Sequence, residues 1–259
     1  MEDNFRKLKR FNLIMGIVHL IQACIMLFLA TSIIQKIAEF QPQILQYYQT
    51  FNFDTMSLET TGKELFQLPF GVLVSGFLFI SACAHFIIVI KGDSYVAGIK
   101  KGINRFRWYE YAISSSIMIV LIATLFGIYD IASLILIFLL NASMNLFGLV
   151  MEELNLTKEN KKVDWRAFIW GCISGIGPWI AIFLYMFGTG NFDQVPWFVW
   201  AIVGTYFVAF NSFPINMILQ YNKVGPWKNY VFGERVYIWL SLIAKSFLAW
   251  LVLFGAMQP

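Results

Sequence analysis

The chain has 259 residues, of which 59% are hydrophobic and only 13% are charged, and its mean hydropathy is +0.66. A soluble domain has roughly 45–50% apolar and about 25% charged residues, so this composition excludes a water-soluble globular protein. The net charge of +4 does not indicate a nucleic-acid partner, because the bases lie in short segments beside apolar runs. We expect one membrane domain over residues 1–259, surrounded by lipid, with no room for a separate soluble domain.

Seven apolar runs are each long enough to cross ~30 Å of hydrocarbon at ~1.5 Å per helical residue. In chain order they cover residues 12–34, 70–90, 108–126, 131–150, 167–187, 195–219 and 236 to about 257. Because backbone polar groups in lipid must be paired within the segment, these runs predict seven transmembrane helices, called spans 1 to 7 here. The basic start at residues 6–10 resembles a signal peptide, but span 1 is too long for one and is expected to be retained.

The lysines and arginines between the spans are distributed unevenly. Sixteen of the 19 lie on the side of the N-terminus, two lie on the opposite side, and the last is Lys245 within span 7. The positive-inside rule therefore predicts a multi-pass protein of the cell membrane, with its N-terminus in the cytoplasm and its C-terminus outside.

The loop between spans 1 and 2, residues 35–69, is the only long one and is net acidic. It is rich in aromatic residues, which are Phe40, Tyr47, Tyr48, Phe51 and Phe53. This content is too high for a disordered linker. The predicted fold is therefore an all-α, seven-helix membrane bundle with a folded, β-containing extracellular loop.

The three cysteines lie inside apolar runs without paired or metal-ligand spacing; they are Cys24, Cys83 and Cys172. We interpret them as inert thiols packed in the core, and we expect no metal site. The sequence also lacks a phosphate-binding loop and a nucleophile with an adjacent base. It therefore predicts no catalytic residues and no enzyme activity.

Nearly all charged residues lie in loops or at helix ends, and the exceptions are Glu110 and Lys245. A charge at bilayer depth costs at least ~2.5–3.5 kcal/mol and usually marks a functional site. Measured from the outer helix ends, Glu110 lies ~24 Å deep and Lys245 ~20 Å deep if span 7 reaches Gln258. If span 7 ended at Phe254, the two depths would differ by ~10 Å. The pair could be a bare structural ion pair, or Lys245 could form a Schiff base with an aldehyde and Glu110 could be its counterion.

Four segments closely resemble heliorhodopsins, and the likeness extends over essentially the whole chain. They are NRFRWYEYAISSS at 104–116, NASM at 141–144, WKNY at 227–230 and GERVYIWLSLIAKS at 233–246. The inverted orientation predicted from the loop charges is also the topology of that family. The resemblance implies all-trans retinal bound covalently to Lys245, with Glu110 as its only carboxylate counterion.

We expect two sets of residues around the chromophore, and the resemblance implies Asn141 and Met144 in the first set and His19 and His85 in the second. The further cofactor-binding residues would be Ser241, Ser114, Asn141, Met144, Phe210 and Trp179. A polar cavity on the cytoplasmic side would contain His19, His85, Ser81, Asn104 and Trp108. Ser241 lies one turn before Lys245 on the same helix face, which favours a contact with the Schiff base. The serines could instead bond to their own helices, and the aromatic residues, including Phe213, could be ordinary packing. We expect Pro178 and Pro214 to kink their helices.

The sequence favours a light sensor over a pump. In span 3, Ser114 and Leu121 lie four and eleven residues after Glu110, where the pattern of outward proton pumps has Thr and a second carboxylate. Between residues 117 and 126 only Thr124 is polar, so an outward proton route would be dry. We therefore expect the photoreleased proton to stay near Glu110 or in the cytoplasmic cavity, without net ion pumping.

Two other functions remain open on the sequence. One is a light-driven or light-gated proton transporter. The other is a light-dependent regulator of a bound soluble enzyme. For partners we expect a homodimer formed through the first loop and span 4, and an acidic cytoplasmic signalling protein that meets the basic loops. A carotenoid antenna is a further alternative.

Overall fold

The computed structural model describes residues 2–156, 162–188, 190 and 197–256, and for residues 2–4, 36, 37, 198 and 252–256 only the backbone. Its helices are α1 (Glu2–Phe28), α2 (Gln35–Glu39), α3 (Phe70–Ile90), α4 (Gly92–Lys101), α5 (Arg105–Leu125), α6 (Ile131–Asn155), α7 (Arg166–Gly188), α8 (Trp197–Tyr221) and α9 (Tyr230–Ala256). A π-helical turn at Leu29–Ile33 continues α1, and a 3-10 turn at Gly225–Lys228 precedes α9. The strands are β1 (Gln43–Asn52) and β2 (Ser57–Gln67).

The seven predicted spans are α1, α3 and α5 to α9, which confirms the predicted fold class. Within the described residues, six helices before α9 are long and apolar enough to cross a membrane. Span 2 has the predicted bounds, whereas α1 begins before span 1 and includes its basic segment. The predicted start of span 6 at residues 195–196 and the end of span 7 beyond residue 256 lie outside the described residues. Lys158 and Lys161, which contribute to the predicted orientation, also lie outside them.

The helices form a closed ring in which most neighbours follow one another along the chain. Helix α1 packs on α3, α3 on α5, α5 on α6, and α6 on α7. Helix α8 packs on α9, which returns to α1 and α3. Because of this closure, side chains near the middle of α3, α5 and α9 point toward one another.

The loop between α1 and α3 forms an antiparallel β-hairpin, as predicted. Its register extends from the pair Gln43 and Gln67 to the pair Asn52 and Ser57, with an irregularity after Ile44. The hairpin is fixed to the bundle at its base, where Ile44 is buried and the amide of Leu45 donates to the carbonyl of Tyr129 at 2.9 Å. Most of its other side chains are exposed.

The amphipathic helix α4 was missed by the sequence analysis, although its pattern was available. Tyr95 and Ile99, spaced one turn apart, are buried against Phe5 and Leu8 of α1. The helix ends at Gly102, which adopts a left-handed conformation with φ 81° and closes the last turn through its amide. A helix of ten residues is too short to span a membrane, so the hydropathy pattern did not show it.

Two ends of the bundle are distinguished below. The hairpin end carries β1, β2 and the loop between α5 and α6. The basic end carries the start of α1, helix α4, and the starts of α5, α7 and α9. A large apolar core that includes Phe77, Leu121, Trp179 and Leu248 fills the hairpin-end half and reaches Ile44 of the hairpin. Two smaller clusters around Tyr237 and Ile238 pack the basic-end half.

The prediction that the cysteines are core thiols is wrong. Cys24, Cys83 and Cys172 are all free and exposed on the outer surface of the bundle. A helix that faces lipid is apolar on all its faces, so an apolar run alone does not tell which side packs inward.

Candidate functional site

Lys245 lies in the middle of α9 with only 3% of its surface exposed. Its Nζ atom donates to Glu110 Oε1 on α5 and to Ser81 Oγ on α3, each at 2.5 Å. The structure therefore brings Lys245 and Glu110 to the same depth, as the helix-length argument predicted. That argument required a seventh helix that reaches Gln258; α9 is described as far as Ala256, and Gln258 lies outside the described residues.

Ser81 belongs to this ion pair. Its hydroxyl donates to Glu110 Oε1 at 2.7 Å and also lies 3.1 Å from the carbonyl of Phe77 on its own helix. It accepts from Lys245 at the same time, so three helices meet at one polar point. The sequence predicted only a place in the cavity for Ser81, whereas the structure places it between the two charged groups. Such extra hydrogen bonds are what a buried ion pair needs to offset desolvation.

Two other predicted residues surround the ion pair. Ser241 is buried one turn before Lys245 and lines the cavity described below. Ser114 is fully buried on α5, one turn after Glu110. The ring of Tyr111, which the sequence analysis did not select, lies 5.3 Å from Lys245 Nζ.

Aromatic side chains extend from Lys245 toward α7 and α8. The Tyr111 ring meets Phe213 edge to face at 5.3 Å, and Phe210, one turn before Phe213, meets Trp179 edge to face at 5.8 Å. Trp179 is buried, and Phe210 packs against the large apolar core. The predicted aromatic residues thus lie on the α7 and α8 side of the amine.

Asn141 and Met144 lie on α6 and do not contact the ion pair directly. The amide of Asn141 donates to Ser115 Oγ at 2.8 Å and to Ser116 Oγ at 3.0 Å, which fixes α6 against α5. The sulfur of Met144 fills the space beside Gly175 of α7, where a Cβ atom would lie only 2.4 Å from it. Both residues form the α6 wall of the same region.

A small cavity of about 20 Å³ extends from the ion pair toward the basic end. Its polar lining consists of Asn12, Ser81, His85, Asn104, Arg107, Glu110, Tyr111, Glu234 and Ser241. This volume accommodates roughly one water molecule, and the lining offers several polar partners for it. This cavity lies on the basic-end side of Lys245.

The two histidines occupy different positions relative to this cavity. His85 lines it, and its Nδ1 donates to Asn12 Oδ1 at 2.8 Å, since the Asn12 amide nitrogen already donates to Leu8. His19 is not in the lining; it stacks on His85 with the ring centroids 5.5 Å apart. Neither ring nitrogen of His19 has a hydrogen-bond partner among the described residues. The prediction that His19 lines the cavity is therefore corrected to a place behind His85.

Asn104 and Trp108 also differ from each other. Asn104 caps α5 by accepting from the amide of Arg107 and lines the cavity. Trp108 is not in the lining; its indole nitrogen donates to Glu152 Oε2 at 2.8 Å, and its ring packs against Gly148. Trp108 therefore belongs to a polar cluster next to the cavity.

Glu110 and Lys245 are not the only buried charged residues of the bundle. Arg107, Glu152 and Glu234 are also buried, with 4%, 2% and 1% exposure. Arg107 donates to Glu152 at 2.5 Å and forms a second ion pair with Glu234. They lie near helix ends that converge, where the Tyr230 hydroxyl donates to Glu152. Helical spacing could have shown Glu234, which lies eleven residues, or about three turns, before Lys245 and hence on the same face.

A seven-helix membrane bundle with a buried, paired lysine defines the class of retinal-binding membrane proteins, the rhodopsins. The Heliorhodopsin family model matches residues 8–257, and the chain belongs to the heliorhodopsin family. A comparison with curated proteins gives no match. Membership makes the chain a multi-pass, retinal-binding rhodopsin of a light-sensing family.

The residues of this structure fit retinal. Lys245 supplies a buried amine, Glu110 supplies a negative charge beside it, and Ser114 offers a buried hydroxyl one turn from Glu110. The aromatic side chains on the α7 and α8 side of the amine offer apolar contacts for a polyene. Lys245 would hold the cofactor covalently, and Tyr111 and Phe213 would contact it near the attachment point.

Proposed function

We propose that the chain is a light sensor in which all-trans retinal is linked as a Schiff base to Lys245, with Glu110 as its counterion. The photoreleased proton is retained in the cavity toward the basic end, so no net ion transport occurs. The observation that carries this proposal is the one-sided distribution of polar groups around Lys245.

Before illumination, the protein holds a proton on the Lys245 nitrogen. Glu110 balances its charge, and the Ser81 hydroxyl bridges the nitrogen and the carboxylate at 2.5 and 2.7 Å. Bound retinal supplies absorption of visible light and a change of shape on isomerisation. Because the 2.5 Å contact between Lys245 and Glu110 depends on the position of the nitrogen, any displacement weakens the hold on this proton.

Exchangeable groups then lie on one side of the nitrogen. Toward the basic end, the cavity offers Ser241, His85 and Asn12 within one connected lining. Toward the hairpin end, α5 becomes apolar after the serines at 114–116: between residues 117 and 126 only Thr124 is polar, and its hydroxyl donates to its own helix at Leu121. A proton that leaves Lys245 can therefore reach the cavity but has no polar route to the hairpin end through the described residues.

We further propose the orientation and the partners of the protein. The basic end, with exposed bases such as Lys100, Lys101 and Arg105, lies in the cytoplasm, and the hairpin lies outside the cell membrane. The chain acts as one membrane domain over residues 1–259. It forms a homodimer through the hairpin and α6, and an acidic soluble protein reads the change at the basic end.

The direct test is expression with all-trans retinal followed by a visible absorption spectrum. The wild type should form a pigment, and Lys245→Ala should form none. Phe247→Ala is the matched control, since this residue of α9 is 55% exposed and should leave the pigment unchanged. A coloured Lys245→Ala protein, without an added amine, would refute the assignment of the attachment site.

A second measurement separates the sensor from a proton transporter. Cells or vesicles that contain the pigment are illuminated steadily while the external pH is recorded. The proposal expects no sustained pH change. A sustained change that a protonophore abolishes would show transport and would overturn the sensor-only function.

A further inference from the structure

The buried polar cluster beside the cavity contains two carboxylates that differ in their hydrogen bonds. Glu152 accepts from four donors: Arg107 at 2.5 Å and Tyr230 at 2.9 Å on Oε1, and Trp108 at 2.8 Å and the Asn104 amide at 3.0 Å on Oε2. Four donors, two on each oxygen, satisfy an ionised carboxylate. Glu152 therefore has two donors on each of its oxygens.

Glu234 has a different environment. It accepts from the Asn104 side-chain amide at 2.5 Å on Oε1 and from Arg107 on Oε2. The orientation of this amide is fixed, because Asn104 Oδ1 accepts the backbone amide of Arg107 at 3.2 Å. Glu234 also lines the cavity, whereas Glu152 does not. Each oxygen of Glu234 accepts one hydrogen bond, so each can accept another from a group in the cavity.

The charges in this region do not balance if both carboxylates are ionised. Lys245 neutralises Glu110, and the single positive charge of Arg107 faces two carboxylates that are each 1% exposed in their side chains. A second buried negative charge without a cation is expensive, and two carboxylates that share one site rarely both ionise.

The other titratable groups near Glu234 do not supply the missing positive charge. Tyr95 of α4, Tyr111 of α5, and Tyr230 and Tyr237 of α9 are phenols, which are neutral at neutral pH. His85 lines the cavity on α3 and could carry a positive charge, but burial favours the neutral imidazole. The balance therefore requires a proton on one of the two carboxylates.

We infer that the cluster of Arg107, Glu152 and Glu234 binds one proton in the dark, and that this proton resides on Glu234. Arg107 and Glu152 form the ionised pair, and neutral Glu234 closes the cavity toward the basic end. A proton that leaves Lys245 meets a carboxyl group that is already protonated, so it stays in the cavity. This consequence rests on the proposed function, whereas the proton site itself rests on the charge balance alone.

The inference is tested by infrared spectroscopy of the full-length pigment in the dark. The wild type should show the C=O stretching band of a protonated carboxylic acid, with a shift in heavy water, and Glu234→Gln should lose it. His85→Gln should keep the band. If the wild-type and Glu234→Gln spectra overlap in the C=O stretching region, the inference is overturned. It is also overturned if Glu152→Gln loses the band while Glu234→Gln keeps it.

Thermal bleaching of the same variants gives an independent readout. Gln resembles a protonated carboxyl group, so Glu234→Gln should shift the bleaching midpoint by no more than about 3 °C. Glu152→Gln removes the ionised partner of Arg107 and should lower the midpoint by about 10 °C. Equal destabilisation by the two substitutions would contradict the assignment. Pigment formation by Glu234→Gln shows that any failure here is separate from a failure at Lys245.

Discussion

The two halves of the bundle are built from the same helices but have opposite interiors. The hairpin-end half is filled by an apolar core, in which the buried hydroxyls of Ser75 and Thr124 bond only to their own helices. The basic-end half contains a cavity and five hydrogen-bonded ionisable side chains when the Lys245 ion pair at its boundary is included. Lys245 therefore lies at the border between the apolar half and the polar half of the described bundle.

The largest effect should come from placing a charge in the apolar half. Leu121 is fully buried there, eleven residues after Glu110, so Leu121→Asp introduces a carboxylate without a partner. We expect a loss of about 3–5 kcal/mol in stability and a fall of about 10 °C in the bleaching midpoint. Leu121→Met is the control and should cost less than about 1.5 kcal/mol. Similar midpoints for the two variants would mean that this half is not dry.

The contact between the hairpin and the apolar core should give the next largest effect. Ile44 is fully buried in that core, so Ile44→Ala should cost about 2–4 kcal/mol in the free energy of unfolding, measured by thermal bleaching. Phe53, at the far end of the same hairpin, is 80% exposed, and Phe53→Ala should change stability by less than about 0.5 kcal/mol. If both variants were equally stable, the hairpin would not be fixed to the bundle through Ile44.

The same substitution on α3 compares the two compartments directly. Ser81→Ala removes the bridge between Lys245 and Glu110, so it should cost about 1–2 kcal/mol and shift the visible absorption maximum. Ser75→Ala, on the same helix, removes only a bond to the carbonyl of Val72 and should leave the maximum unchanged. Identical spectra for the two variants would exclude a role of Ser81 in the ion pair.

The smallest effect is expected on the outer surface of the bundle. Cys172 of α7 is exposed, so Cys172→Ala should shift stability by less than about 0.5 kcal/mol. Thermal bleaching of the pigment measures this. A loss above about 2 kcal/mol would restore the interpretation of Cys172 as a core thiol.

Much of the site could be predicted from single residues and their depth. Lys245 and Glu110 stand out because a charge deep in an apolar run is rare, and helix geometry then placed them at one level. Arg107, Glu152 and Glu234 were missed because each lies near the end of an apolar run, where charges are usually solvated. Only the convergence of α5, α6 and α9 beneath α4 removes them from water.

The sequence by itself determined the number of membrane spans, their approximate bounds and the two buried charges Lys245 and Glu110. These features depend on chain composition and on the need to pair backbone groups in lipid, which act along one segment at a time. The tertiary structure alone decided which face of each helix points inward, and so which polar groups share the cavity. Helices surrounded by lipid are apolar on all faces, and the side that packs inward is set by neighbouring helices rather than by the pattern of a single one.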